Sequence, residues 1–340
     1  MNGRLEGELK KKEKTDKLLS EMPDYVSKWV LVMRASNKTE SSIQDYVQKI
    51  GKFMRFINAD VVNITTDMIT PDIVCEYFIS LQTKEKNGNI VETSDSYKIT
   101  NWCCLNNFLG FLTRRGYIPY NYMDDITKPK NNDLVRINEH RIQLTQENFN
   151  SMIKAVKYGA GTHRARARQR EWRERDMAVL LLFMTTGIRE TALSQINIED
   201  IDFDNNILLV RDKGDKQHKY ILKEQTKTAI INWLNKREKL LANKDTDTNA
   251  LFISNKGTRL AASGASELVQ KYSIAGMGYK IRPHKLRAGF CTILYNINPD
   301  ILFVSDAVGH SSINTTRRYI VTGNSGKEKA ANIMDSLITI

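Results

Sequence analysis

Cysteine is scarce in this chain of 340 residues, with only Cys75, Cys103, Cys104 and Cys291. Neither their number nor their spacing suits a zinc site or a disulfide framework, so they read as reduced, mostly buried thiols. Long apolar runs are missing too. The longest, at 178–184, falls far short of the roughly 20 residues a helix needs to cross a bilayer, which argues against a membrane partner. Residues 1–20 are polar and lysine-rich where a secretory leader would be apolar, so a cytoplasmic location is expected. The sequence also shows no Walker phosphate loop, acidic metal cluster, internal repeat or low-complexity tract, and no cofactor, metal or ATP requirement is expected.

One charge sign is in excess. Against 39 acidic residues stand 51 Lys and Arg, a net charge of +12, which suits a polyanionic partner. With 41% hydrophobic and 26% charged residues, the composition is that of an ordinary globular protein, and the length favours two domains.

The helical signals begin after a charged, aperiodic stretch at 1–22, read as a mobile basic arm. Ile43, Tyr46, Val47, Ile50, Phe53, Met54 and Ile57 lie on one helical stripe, with Thr39 as N-cap. A second helix opens with Thr70 as cap and Pro71 at its first position, burying Ile73, Val74, Tyr77, Phe78 and Leu81. A polar break at 84–89 follows. The next helix carries Leu105, Phe108, Leu109 and Leu112, and Gly116 sets its end near Arg115. Helical periodicity is lost at 124–144, around Lys128, Pro129 and Lys130, which marks a linker. Thr145 then caps the first helix of a second domain. The run Ile207 to Val210 and the run Tyr220 to Leu222 read as two strands of a hairpin turning through Asp212-Lys213-Gly214-Asp215. Helices resume near Gln225, Ser263 and His284.

The fold class is therefore mainly α. A four-helix N-terminal domain at 23–123 is followed by the linker at 124–144 and by an α-rich domain at 145–326 with a small antiparallel sheet. A tail helix at 327–340 carries Ala330, Ile333, Met334, Leu337 and Ile338 on one face. Arg164, Arg166, Arg168, Arg170, Arg173 and Arg175 spread around any helix they form, so they cannot all serve one internal partner; nucleic acid and solvent are the two readings.

Five places carry chemistry: Arg189 after Thr-Thr-Gly-Ile, Lys213 in the hairpin turn, His284 with Arg287 in His-Lys-Leu-Arg, His310 after Gly309, and Tyr319. Each alone is weak, since a single histidine or arginine is more often structural. Their combination is not. His284 and Arg287, three apart, share a helix face, and His310 precedes Tyr319 by nine positions with Ser311, Thr315 and Thr316 between.

In these motifs the sequence resembles the tyrosine recombinases, the integrase family of site-specific DNA recombinases. Thr186-Gly187-Ile188-Arg189 looks like the family's first arginine motif, His284-Lys285-Leu286-Arg287 is similar to its His-x-x-Arg box, and the segment from Gly309 to Tyr319 matches its histidine-to-nucleophile spacing. The resemblance runs from about Asn37 and implies that the first domain is a SAM-like core-binding domain and the second the catalytic one. It departs at Ala192, where an acidic residue is frequent, at Asn121-Tyr122, where Asn-Pro is frequent, and in the length of the arginine-rich segment.

The implied reaction is cleavage and rejoining of DNA through a covalent 3′-phosphotyrosine, with Tyr319 as nucleophile. A phosphodiester repels nucleophiles and gathers charge on its non-bridging oxygens in the transition state; two forked guanidiniums, Arg189 and Arg287, suit that charge. His284 is the expected acceptor of the Tyr319 proton. The resemblance implies Lys213 as proton donor to the leaving 5′ oxygen, with Lys216 as runner-up, and His310 as a hydrogen-bond donor to a non-bridging oxygen. Lys38, Thr39, Lys128, Lys130, Arg164, Arg166, Arg168 and Lys216 are candidate DNA contacts. The implied partners are double-stranded recombination sites and three further copies, a tetramer on two duplexes with the tail docking in trans, and the implied location is at the nucleoid. Mobile-element integration or excision is the first reading. Xer-like resolution of chromosome or plasmid dimers, a non-catalytic DNA-binding relative and a type IB topoisomerase-like relaxing enzyme are the alternatives.

Overall fold

The computed structural model describes residues 3–130, 143–211, 217–242 and 248–309, together with 313 and 316. The chain divides into two compact units, residues 3–141 and 142–340.

Among the described residues the first unit holds five α-helices and a hairpin: α1 (Gly3–Leu19), α2 (Asp24–Ala35), α3 (Glu40–Ile57), α4 (Pro71–Ser80), β1 (Thr83–Lys86), β2 (Asn89–Glu92) and α5 (Asp95–Arg114). The caps are the expected ones. The Thr39 and Thr70 side chains accept from Ser42 N and Ile73 N, Pro71 opens α4, and Gly116 sits at φ +70°. The core is aromatic. Trp29, Phe53 and Phe108 are fully buried, and the Trp29 ring meets Phe108 edge-on at 5.1 Å while its indole N–H donates to Asn107.

Three features differ from the sequence reading. The stretch read as a mobile arm is α1, a helix whose Glu8 carboxylate accepts from the Glu40 amide and whose Asp16 pairs with Arg34 at 2.7 Å. Thr15 and Leu19 are buried. The polar break at 84–89 falls within the β1–β2 hairpin and contains its turn, where Asn87 and Gly88 both take positive φ; Asn-Gly is the sequence that such a two-residue turn demands. The start of the expected linker also belongs to the first unit. Ile126 packs on its core, the Trp102 indole donates to the Ile126 carbonyl, and the Lys128 ammonium sits 5.6 Å from the Trp102 ring centre. Residues 131–142 lie outside the described residues.

The second unit contains α6 (Gln146–Tyr158), α7 (His163–Thr186), α8 (Glu190–Gln195), strands β3 (Ile201–Asp202), β4 (Ile207–Arg211) and β5 (Gln217–Ile221), then α9 (Glu224–Leu241), α10 (Ala262–Met277), α11 (Pro283–Ile297) and α12 (Ile301–Ala307). The strands form one antiparallel sheet in the order β3-β4-β5. The apolar second half of α7 runs through the centre, with Ala178, Val179, Leu180, Leu182 and Phe183 buried. Its first half is the arginine-rich segment, in which Arg164, Arg166, Arg168, Arg170 and Arg173 are exposed. Arg175 is the exception and turns inward: it pairs with the buried Asp176 and donates to the Ile253 carbonyl. Asp176 also accepts from Lys271 and from the Tyr272 hydroxyl at 2.7 Å, fastening α7 to α10.

Candidate active site

The first arginine motif is shaped by a helix end. At the C-cap of α7, Gly187 adopts φ +61°, and a Cβ there would fall 2.7 Å from Phe290 and 3.1 Å from Val308. Only glycine meets both demands, the left-handed backbone and the close approach. The Thr186 hydroxyl donates to the Leu182 carbonyl and accepts from the Ile188 amide. The turn delivers Arg189, half-buried, at the N-cap position of α8. Ala192, which replaces a frequent acidic residue, is 3% exposed and packs in the core.

The His-x-x-Arg box opens α11. Pro283 occupies the first helical position, His284 stands exposed at the rim, and Arg287, one turn deeper, is 1% exposed. The Arg287 guanidinium donates through Nη1 to the Gly187 carbonyl at 2.5 Å and through Nη2 to the Val308 carbonyl at 2.8 Å. One side chain thus joins the backbone two residues before Arg189 to the backbone two residues before His310. Charge-assisted bonds to two carbonyls offset part of the cost of burying the cation. The sequence reading gave Arg287 to a phosphate clamp; in the structure its guanidinium also ties two backbone turns together.

Around this tie lies a small separate core, in which Cys291, Val304 and Val308 are buried and Phe290, Leu294 and Tyr295 pack against them. Burial pushes the Cys291 thiol up to about 11, against the opposing effect of the Arg287 charge. Buried and so raised, it stays protonated near neutrality.

A residue that sequence reasoning missed completes the picture. Gly309 has φ +66°, and a Cβ there would lie 2.6 Å from Nδ1 of His218 on β5. His218 and Tyr220 alternate inward on that strand, their ring centres 4.3 Å apart. The alternation 218, 220 was the only signal in the sequence, and it was too short to stand out. Of the six expected catalytic residues, Arg189, His284 and Arg287 are described, whereas Lys213, His310 and Tyr319 lie outside the described residues, as does the tail at 327–340.

The candidate DNA contacts fare variously. The Lys38 ammonium sits 4.8 Å from the Tyr46 ring centre and Thr39 spends its hydroxyl on capping α3. Arg164, Arg166 and Arg168 are exposed along α7, while Arg166 Nε donates to the Gly161 carbonyl. Lys128 and Lys130 end the described part of the first unit; Lys216 lies outside the described residues. Among the described residues no group of three or more His, Cys, Asp or Glu could hold a metal ion, and no helix is long and apolar enough to cross a membrane.

Residues 143–324 match the model of the phage integrase family. The chain belongs to that family. The match takes in the segments of all six expected catalytic residues. Among relatives of this family member, Tyrosine recombinase XerC of Alcanivorax borkumensis is 34% identical over 43% of this chain and 47% of its own length. Tyrosine recombinase XerC of Oceanobacillus iheyensis is 25% identical over 88% of this chain and 92% of its own. The chain spans about half the length of several of the curated relatives it matches, 50% in the case of the Thermodesulfovibrio yellowstonii protein. Two solved structures share the fold. XerH site-specific recombinase bound to palindromic difH substrate, in a post-cleavage complex, has a TM-score of 0.63 at 21% identity, covering 88% of this chain and 82% of its own. The Tn1549 transposon integrase in complex with transposon right end DNA has a TM-score of 0.60 at 17% identity, covering 90% of this chain and 98% of its own.

Proposed function

We propose that this member of the phage integrase family is a site-specific tyrosine recombinase acting on double-stranded DNA. The observation that carries the reading is the Arg287 tie, because it gathers at one guanidinium the segments that lead to Arg189 and to His310 and Tyr319. Family membership and the order of the motifs support it.

In the proposed reaction the Tyr319 oxygen attacks the scissile phosphorus as His284 takes its proton. The phosphorus–O5′ bond breaks, Lys213 protonates the leaving 5′ oxygen, and a 3′-phosphotyrosyl bond forms in place of the old ester. A 5′ hydroxyl from another strand then reverses the step, so the bond energy is conserved and no ATP is consumed. Arg189 and Arg287 stabilise the charge on the non-bridging oxygens, with His310 hydrogen-bonding one of them. A guanidinium has five N–H donors, so Arg287 has the capacity to hold two carbonyls and a phosphate oxygen together. Its fixed position suits preorganised electrostatic stabilisation. Lys213 keeps the role of proton donor over Lys216.

The proposed assembly is a tetramer on two duplexes at the nucleoid, with the tail at 327–340 docking on a neighbouring copy. Integration or excision of a mobile element is the favoured use, and Xer-like dimer resolution is the second.

The test is covalent capture. Nicked duplexes from a randomised pool should yield a protein–DNA adduct that survives denaturation, and Tyr319→Phe should yield none. An adduct formed by Tyr319→Phe, or none formed by the wild-type chain, overturns the reading.

A further inference from the structure

The β4–β5 hairpin and the turn that ends α12 meet at one pair of residues. His218, the second residue of β5, faces inward with Tyr220 and lays its ring against the bare Cα of Gly309. The fit leaves no room for a side chain: a Cβ at 309 would fall 2.6 Å from Nδ1, 2.9 Å from Cε1 and 3.0 Å from Cγ of His218. Both sides of the contact are held from behind. Tyr220 is 5% exposed and supports the His218 ring, and Val210, the cross-strand partner of His218, is 4% exposed. On the other side, the Val308 carbonyl is fixed by Arg287 and the Gly309 amide donates to the Asp306 carbonyl at 2.9 Å.

In the sequence, His218 stands five residues after Lys213, and Gly309 directly precedes His310. We infer that His218 is a positioning residue for strand cleavage, which sets the hairpin that carries the leaving-group lysine in register with the turn that carries His310. The inference rests on the recombinase reading above. A rigid ring seated on a glycine fixes the spacing of the two segments, and misplacement of a catalytic group by about 1 Å costs on the order of 100-fold in rate.

The consequence is specific to one part of the reaction. Because the turn before His310 stays tied through the Val308 carbonyl to Arg287 and through the Gly309 amide to Asp306, loss of His218 releases the hairpin alone: it weakens protonation of the leaving 5′ oxygen and spares the phosphate clamp. A duplex with sulfur in place of that bridging oxygen releases a thiolate, which needs no proton because thiols are far more acidic than alcohols. The experiment compares wild type, His218→Ala, Lys213→Ala and Arg189→Ala on two nicked duplexes of the captured sequence, one oxygen-linked and one 5′-thio-linked. Melting temperature and duplex retention serve as controls.

On the oxygen-linked duplex His218→Ala should cleave about 100-fold more slowly than wild type. On the thio-linked duplex it should approach the wild-type rate, as Lys213→Ala should, whereas Arg189→Ala should stay slow on both. Equal slowing of His218→Ala on the two duplexes overturns the inference, and so does wild-type speed on the oxygen-linked one. Should His218→Ala fail to fold, His218→Gln, which keeps bulk without the flat ring, takes its place with the same expectations. Failure of the recombinase reading looks different: the wild-type chain then forms no adduct on either duplex.

Discussion

The first unit buries no charged side chain among its described residues, whereas the second buries Arg175, Asp176, Arg237 and Arg287. The two units solve the same problem by different means. In the first, amphipathic helices press apolar and aromatic faces together, and the buried polar side chains among the described residues are uncharged. In the second, guanidiniums reach across the chain to backbone carbonyls that no helix or strand satisfies: Arg175 to Ile253, Arg237 to Thr248 and Ala250, Arg287 to Gly187 and Val308. An unpaired buried carbonyl is expensive. A unit with buried irregular turns therefore uses long cationic ties, which the first unit lacks among its described residues.

Removing a tie should cost most. Asp176→Ala strips the partner from Arg175, Lys271 and Tyr272 at once, and breaking a buried pair from one side costs about 3–5 kcal/mol. The loss should appear in urea unfolding and as faster hydrogen exchange in α7 and α10, with the first unit unchanged. A loss under about 1 kcal/mol would mean that the buried charges are not ties. A graded core should behave otherwise. Ile43 is fully buried in the first unit, and Ile43→Val should cost only about 0.5–1.5 kcal/mol by the same measurement.

Alkali should not discriminate between the units. Burial is the leading cause that raises the Tyr25 and Tyr77 phenols in the first unit and the Tyr272 phenol and Cys291 thiol in the second, Cys291 to about 11. Each group holds its proton more tightly folded than unfolded. Its contribution is whole below the unfolded value, about 8.5 for a thiol and 10 for a phenol, and is lost as the pH climbs through the folded one. Melting temperature should stay level up to about pH 8.5 and fall steadily above it; a rise over that range would contradict the assignment of these groups as buried and neutral.

The helices of both units were readable because their signals are local. Thr39, Thr70 and Thr145 cap where they were expected to, and β4 and β5 pair as the expected antiparallel strands, β5 beginning at Gln217 rather than at Tyr220. The motif residues could be named because they stand in the order of the family's motifs, inside the segment that matches the family. What escaped was set by distant partners. A lysine-rich stretch with little amphipathic pattern becomes α1 because α2 and α3 supply Arg34 and the Glu40 amide. Arg175 looked like its exposed neighbours, and only the fold brings it to Ile253. The inward turn of Arg287 and the seat of His218 on Gly309 join segments about a hundred residues apart or close to it, which no spacing rule reaches. The Asn-Gly turn of β1 and β2 was local and could have been read, but the strands beside it are almost wholly exposed and carry no apolar alternation.

The double bond of Arg287 to two carbonyls has a bearing on genetics. A screen for inactive variants will recover position 287 whether or not its guanidinium ever touches DNA, since any replacement also frees the loops at 187 and 308 from each other. Inactivity there is ambiguous by construction, because one guanidinium holds both turns.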